Sequence, residues 1–227
     1  MIFDNRKVPS DLHVSINGTD IERVYVTKFL GVLIDCNLSW KDQINNVSKK
    51  LSKSIAVIRK ASFVLNSDAL YTLYCALFLP YLNYCVEVWG NTYHSNIVPI
   101  YLKQKKVIRI ICKSNYLEHT SPLFNRLKML KFPQIVNYQT GIFMFKAYHS
   151  LLPQNLQNYF SLDINDRYNT KRKYNLKQRR VRTKKKQLSI SIAGVQLWNS
   201  LNDTLKTCNS IANFKKMYKG KLLSIQN

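Results

Sequence analysis

Phosphoryl transfer on two metals needs several carboxylates converging on a pair of cations. This sequence has twelve acidic residues in 227, mostly isolated beside turns or helix starts. Asp35 and Asp42 are the pair closest to such an arrangement, yet a turn and a helix N-terminus suit them better. His13, His94, His119 and His149 form no HExxH and no Cys/His knuckle. Cys36, Cys75, Cys85, Cys112 and Cys208 are odd in number and never spaced CxxC. That pattern points to reduced thiols in a nuclear or cytoplasmic protein and not to a structural zinc. A glycine-rich phosphate loop and a GxSxG elbow are both missing from the sequence. The residues therefore predict no catalytic site and no cofactor of this chain's own.

What the chain has in excess is positive charge. Thirty-five Lys and Arg against twelve Asp and Glu give +23. The excess is lopsided: ten basic and eight acidic residues precede Val88, whereas twenty-five and four follow from there on. Charge of one sign at that density calls for a polyanion, and phosphate is the expected one. Residues 167–186, RYNTKRKYNLKQRRVRTKKK, hold eleven basic residues and no acidic one. Lys171, Arg172, Lys173, Arg179, Arg180, Arg182, Lys184, Lys185 and Lys186 are the candidate phosphate contacts there. Tyr168 and Tyr174 are interleaved and suited to stacking on unpaired bases. A nuclear localisation signal would have the same composition.

These groups must be carried by elements whose periods are legible. Leu12–Ile16 alternates and leads into Asn17-Gly18, a strong hairpin signal. Ile21–Val26 is β-branched, and Lys28–Asp35 is an apolar run closed by a turn residue, so three strands are expected over residues 10–35. From Ser39, a plausible N-cap, the period changes. Trp40, Ile44, Val47, Leu51, Ile55 and Ile58 recur at helical spacing, with Lys49, Lys50, Lys53, Arg59 and Lys60 largely off that face. A second helix is expected from Ser67-Asp68 to a break near Pro80. Ala69–Val86 carries no charge. Pro80, Asn83 and the recurring tyrosines make it two buried helical pieces and not a membrane span. Pro99–Cys112 reads as a helix with Leu102, Val107, Ile110 and Ile111 inward, and with Lys103, Lys105, Lys106 and Arg109 outward. Ser121-Pro122 and Pro133 each suit a helix start, the second helix ending near Leu152-Pro153. Residues 167–186 should be extended and solvated. After them GVQLWNSL restores apolar character, and a last short helix begins at Ile211.

The order of these segments resembles one family. Lys28-Phe29-Leu30-Gly31-Val32-x-Ile34-Asp35 with Leu38-x-Trp40 is similar to the FLGV-I-D-L-W stretch of non-LTR (LINE-type) retrotransposon reverse transcriptases. Leu73-Tyr74-x-Ala76-Leu77 follows, then Pro80-x-Leu82-x-Tyr84-Cys85-x-x-Val88-Trp89-Gly90. Next come Gln104-Lys105-Lys106-Val107-Ile108-Arg109-Ile110-Ile111 and His119-Thr120-Ser121-Pro122-Leu123-Phe124. Leu197-Trp198-Asn199-Ser200-Leu201 and Phe214-Lys215 come last. The succession resembles the downstream part of the jockey and CR1-like groups, over about residues 12 to 223.

The resemblance implies roles. Residues 1–38 would be the end of a palm, with Phe29, Leu30 and Gly31 in a primer-grip-like hairpin. Gly31 serves a tight strand turn equally well. Residues 39–165 would be a helical thumb, with Lys49, Lys53, Lys103, Lys106 and Arg109 toward the phosphates of a template–primer duplex. Each of these is also what a solvated helix face carries. A basic linker, 166–187, and a small module, 188–227, would follow. The sequence departs from the family in lacking an Asp-Asp dipeptide, and Asn202 stands where a proline is usual. Polymerase activity is therefore not implied, and Mg2+ is expected only with the catalytic palm. The expected fold is mainly α: a thumb-like helical bundle, a small N-terminal β-hairpin region and a basic C-terminal module. The expected partners are RNA, DNA or RNA–DNA hybrid, and the remaining reverse transcriptase domains, with no membrane. Two other readings stay open: a relic of a degenerate element, and a domesticated nucleic-acid-binding or chaperone protein.

Overall fold

A computed structural model describes residues 1–3, 14–163 and 174–225. Lys171, Arg172, Lys173 and Tyr168 lie outside these residues. The chain is mainly α, with two small antiparallel hairpins near the N-terminus. Among the described residues four short strands stand over a region where three were expected. Strands β1 (Ser15–Ile16) and β2 (Thr19–Asp20) flank Asn17-Gly18. Strands β3 (Val26–Phe29) and β4 (Val32–Asp35) flank Leu30-Gly31. Both turn pairs have positive φ, 51° and 76° at the first, 44° and 81° at the second. Two consecutive left-handed residues give the twist that a two-residue hairpin needs. The long β run breaks because Glu22 and Arg23 interrupt its apolar alternation, so each hairpin closes locally.

Helix α1 (Lys41–Ala61) buries Ile44, Val47, Leu51, Ile55 and Ile58, the stripe its period predicts. Trp40, with φ 63°, is the boundary residue and makes no side-chain cap bond; the hydroxyl of Ser39, the expected cap, accepts from Lys41 N (3.4 Å), and Asp35 braces the residues leading in. The Asp35 carboxylate accepts from the backbone N–H of Asn37 (3.0 Å), Ser39 (2.9 Å) and Trp40 (3.0 Å) and from the Ser39 hydroxyl (3.2 Å). Those bonds hold the left-handed Leu38 and Trp40 and fix the β3–β4 hairpin to α1.

Helices α2 (Ser67–Leu77) and α3 (Leu79–Asn83) are the two pieces expected of the uncharged run. The break falls at Phe78, because Pro80 has no N–H to continue the ladder. Among the described residues no helix is long and apolar enough to cross a membrane. Helix α4 (Val86–Trp89) is one turn and leads to α5 (His94–Ile111), which starts five residues earlier than Pro99 and contains it. Helix α6 (Thr120–Arg126) begins one residue before Ser121. Helix α7 (Phe132–Tyr148) is the central element: α4, α10 (Val195–Ser200) and α12 (Ile211–Ser224) pack on it. The last helix, expected to be short, has fourteen residues. The turns α8 (Gln154–Gln157), α9 (Lys184–Gln187) and α11 (Asp203–Lys206) and a π-helical turn at Ile190–Gly194 complete the chain.

One hydrophobic core runs from Val32 to Leu222. Its centre is satisfied by Gln104, which is fully buried. The Gln104 amide donates to Leu130 O (2.9 Å) and Tyr74 Oη (3.1 Å) and accepts from Phe132 N (2.7 Å). No group is left unpaired there, which is what allows an amide at that depth. Gly141 lets α12 approach α7: a Cβ at that position would sit on the Tyr218 ring.

Candidate nucleic-acid interface

Helices α1 and α5 run side by side in the same direction. Asn96 reaches Ser39 O at their starts and Lys103 reaches Ser52 midway. Along α5 the residues Lys103, Lys106 and Arg109 recur every third position, and Lys113 follows four later. At 1.5 Å rise per residue the helical part of this stripe, Lys103 to Arg109, is about 9 Å long, and Lys113 lies just past the helix end. The stripe lines two adjoining surface depressions between the helices. One, of about 570 Å³, is lined by Ser48 of α1 and by Pro99, Leu102, Lys103, Lys105, Lys106, Arg109 and Tyr116. The other, of about 420 Å³, adds Arg59, Ser62 and Phe63 from the end of α1, and Ile110, Lys113 and Ser114. Among the described residues neither lining includes a carboxylate. Leu102, expected inward, is exposed, because it shares the outward stripe with Lys106.

Two of these cations are held in place by neutral acceptors. Lys103 Nζ donates to Ser52 Oγ (2.6 Å), and Arg109 Nε donates to Glu118 O (3.0 Å). The Arg109 guanidinium also lies 6.0 Å over the Tyr116 ring, and Lys105 lies 4.5 Å over Tyr101. Neutral acceptors and ring faces orient a cation without cancelling its charge. The structure thus brings Lys103, Lys106 and Arg109 together. Lys49 and Lys53, four residues apart and exposed on α1, stand outside both depressions. Arg59, Lys113, Phe63 and Tyr116 join the site without having been singled out. Phe63 and Tyr116 are 85% and 77% exposed.

The basic tract was expected extended and solvated throughout. Its described part is instead anchored before it emerges. Asn199 bonds both backbone groups of Leu176, accepting from its N–H and donating to its C=O at 2.9 Å each. Trp198 Nε1 donates to Tyr174 O (3.0 Å), and Lys177 N to Ser161 O (2.8 Å). Lys206, almost wholly buried, donates to Asn175 Oδ1 (2.9 Å) and lies 3.6 Å from Asp203. Burial holds its ammonium pKa below the ordinary lysine value, with Asp203 opposing the shift. Beyond this clamp Arg179, Arg180, Arg182, Lys184, Lys185 and Lys186 are exposed. Lys185 and Lys186 line a third depression with Leu38, Trp40, Val88 and Tyr93, at the start of the α1–α5 pair.

Phe29 and Leu30, at the tip of the β3–β4 hairpin, are 63% and 75% exposed. Tyr84 steadies the tip: its hydroxyl donates to Leu30 O (2.6 Å), and its ring lies 3.4 Å from where a Gly31 Cβ would be. Glycine at 31 is thus needed for its φ of 81°, while a Cβ there would make only ordinary contact with the Tyr84 ring.

The Mg2+ that the resemblance associates with a palm finds no fitting set here. Asp35 is committed to four donors leading into α1, Asp42 sits in the first turn of that helix, and no group of three potential ligands gathers among the described residues. No family model, curated protein or solved structure matches this chain.

Proposed function

We propose that this chain binds nucleic acid with little sequence preference, as the thumb-like downstream part of a non-LTR retrotransposon reverse transcriptase, and does not polymerise by itself. The observation carrying this reading is the convergence of Arg59, Lys103, Lys105, Lys106, Arg109 and Lys113 on one carboxylate-free surface between α1 and α5. Counterion release on phosphate neutralisation drives such binding and reads no bases. The anchored tract, Arg179 to Lys186, supplies a second cationic surface. The test is binding of a labelled RNA–DNA hybrid across a salt series, beside a variant with the tract's basic residues changed to Gln. A steep salt slope that the variant flattens supports contact through the tract. A steep slope in both places the contact on the helices. Absence of binding at low salt refutes the reading.

A second reading has its own observation. Val14, Ile16, Ile21, Tyr25, Val26, Phe29 and Leu30 are all exposed on the two hairpins. That many exposed apolar side chains on two short hairpins favour an interface there. Its occupant in this reading is the rest of the reverse transcriptase. The chain would then be poorly soluble alone and rescued by the palm supplied in trans; full solubility without it would count against this.

A further inference from the structure

We infer that the depression at the ends of α1 and α5 is a binding site for an unpaired polynucleotide strand, with bases stacked on Tyr116 and Phe63. This rests on the nucleic-acid reading above and goes beyond it by choosing the form of the ligand.

The depression measures about 420 Å³ and is lined by four cations, Arg59, Lys106, Arg109 and Lys113, together with Phe63 and Tyr116. Phosphates alone would explain the cations but leave the rings unexplained. At 85% and 77% exposure these are large aromatic side chains turned to water. Their exposure is not a sign of loose structure. Arg109 bridges to Glu118 O, Ser114 N bonds Arg109 O (3.0 Å), and Glu118 N bonds Asn115 O (3.1 Å), so the loop carrying Tyr116 is tied to the end of α5. The guanidinium of Arg109 stands 6.0 Å from the Tyr116 centroid, where cation and ring attract and help hold the ring in place. Ser62 N and Phe63 N continue the α1 ladder onto Arg59 O and Lys60 O, so Phe63 is tied as well. The Ser114 hydroxyl, at the same depression, has no hydrogen-bond partner among the described residues.

Exposed rings on hydrogen-bonded backbone, beside cations, match one ligand chemistry. Every base has a π-face, so stacking tolerates sequence, while the cations follow the backbone. A duplex offers no such face along its length, because its bases are stacked on one another. An unpaired strand does. RNA and DNA share this chemistry.

The experiment measures binding of the full chain to labelled strands of about 12 nucleotides, within the span such sites cover. The probes are RNA, DNA, the matching duplex, and a DNA strand with abasic central positions. Tyr116→Ala and Phe63→Ala are each expected to weaken single-strand binding on the order of 10-fold and to leave duplex binding within about 2-fold. Tyr116→Trp keeps the affinity. The abasic strand binds the wild type as weakly as the intact strand binds the Tyr116→Ala/Phe63→Ala double variant, and combining that variant with the abasic strand brings no further loss. Equal losses on strand and duplex, or undiminished strand binding by both alanine variants, overturn this inference and leave the broader reading standing. Failure of the wild type to bind any of the probes at low salt overturns both.

Discussion

Changing Arg59, Lys106 and Lys113 together to Gln tests the α1–α5 surface through its salt dependence. These three are chosen because no structural hydrogen bond is asked of them. Lys103 holds Ser52, and Arg109 ties down the loop of Tyr116. Each cation that neutralises a phosphate contributes about 0.7 to the slope of log K against log salt on a single strand. Three contribute roughly 2. Between about 50 and 200 mM salt, the wild type should therefore lose roughly 20-fold more affinity than the triple variant. Fluorescence anisotropy of a labelled strand across that range measures both slopes. The control removes three exposed lysines of α12, Lys215, Lys216 and Lys219, leaving the net charge of the two variants equal. If total charge alone set the affinity, the two slopes would fall alike, and that result would refute the assignment of the site. An unchanged slope in the α1–α5 variant would refute it equally.

Other expectations follow from the interior. Asp35→Ala removes the acceptor for three backbone N–H groups and one hydroxyl, and should cost about 2 kcal/mol by denaturant titration; Asp35→Asn keeps an acceptor oxygen and should lose less. Gly141→Ala gains helix propensity of about 0.5–1 kcal/mol, but its methyl meets the buried Tyr218 ring, a clash that should cost about 1–3 kcal/mol; a raised denaturation midpoint would show that α12 moves freely on α7. Burial pushes the Tyr74 and Tyr218 phenols well above the usual tyrosine value. Above pH ~10 the unfolded chain releases these protons and the folded chain keeps them, so stability falls with rising pH by about 1.4 kcal/mol per unit for each. Phenolate absorbance should then rise together with loss of helical dichroism, and Tyr218→Phe should lessen the slope. Tyr84→Phe frees Leu30 O and should speed amide exchange at Gly31 and Val32 several-fold while exchange in α7 stays unchanged.

The helices were legible because their burial is periodic. Ile44, Val47, Leu51, Ile55 and Ile58 declare a face by spacing alone, and a stretch with that period has one way to lie on a core. Ser39 was legible as the residue whose hydroxyl meets Lys41 N, whereas Asp35, bracing the residues before it, reaches them from a preceding strand. Leu102 misled because helical spacing cannot tell which of two apolar flanks meets a neighbour. The aromatic part of the site was not legible. Phe63 and Tyr116 are 53 residues apart in sequence and meet only because α1 and α5 run parallel. The repeated segments of the resemblance also proved to be more about packing than contact. Trp89 is buried and bonds Tyr84 O (2.9 Å), Gln104 satisfies the core, and Asn199 clamps Leu176. Motif residues with these duties say how the chain folds, and the cations beside them are free to face outward.

The surface divides by chemistry in a way that the charge count foreshadows. Residues 1–87 are nearly neutral, and their hairpins expose Ile16, Tyr25, Phe29 and Leu30. The later residues carry almost all the excess charge, much of it on a stripe of α5 and on the tract that Asn199 and Trp198 anchor. Apolar area is best covered by apolar area, whereas closely spaced cations repel one another until a polyanion arrives. The fold keeps the two surfaces on one body: Asp35 fixes the β3–β4 hairpin to the start of α1, and the far end of the same helix carries Arg59 and Phe63. With 21 residues at 1.5 Å each, α1 sets them about 30 Å apart. Whatever covers the hairpins is therefore held at a fixed distance from whatever lies on the basic surface, and that separation is a property of one helix.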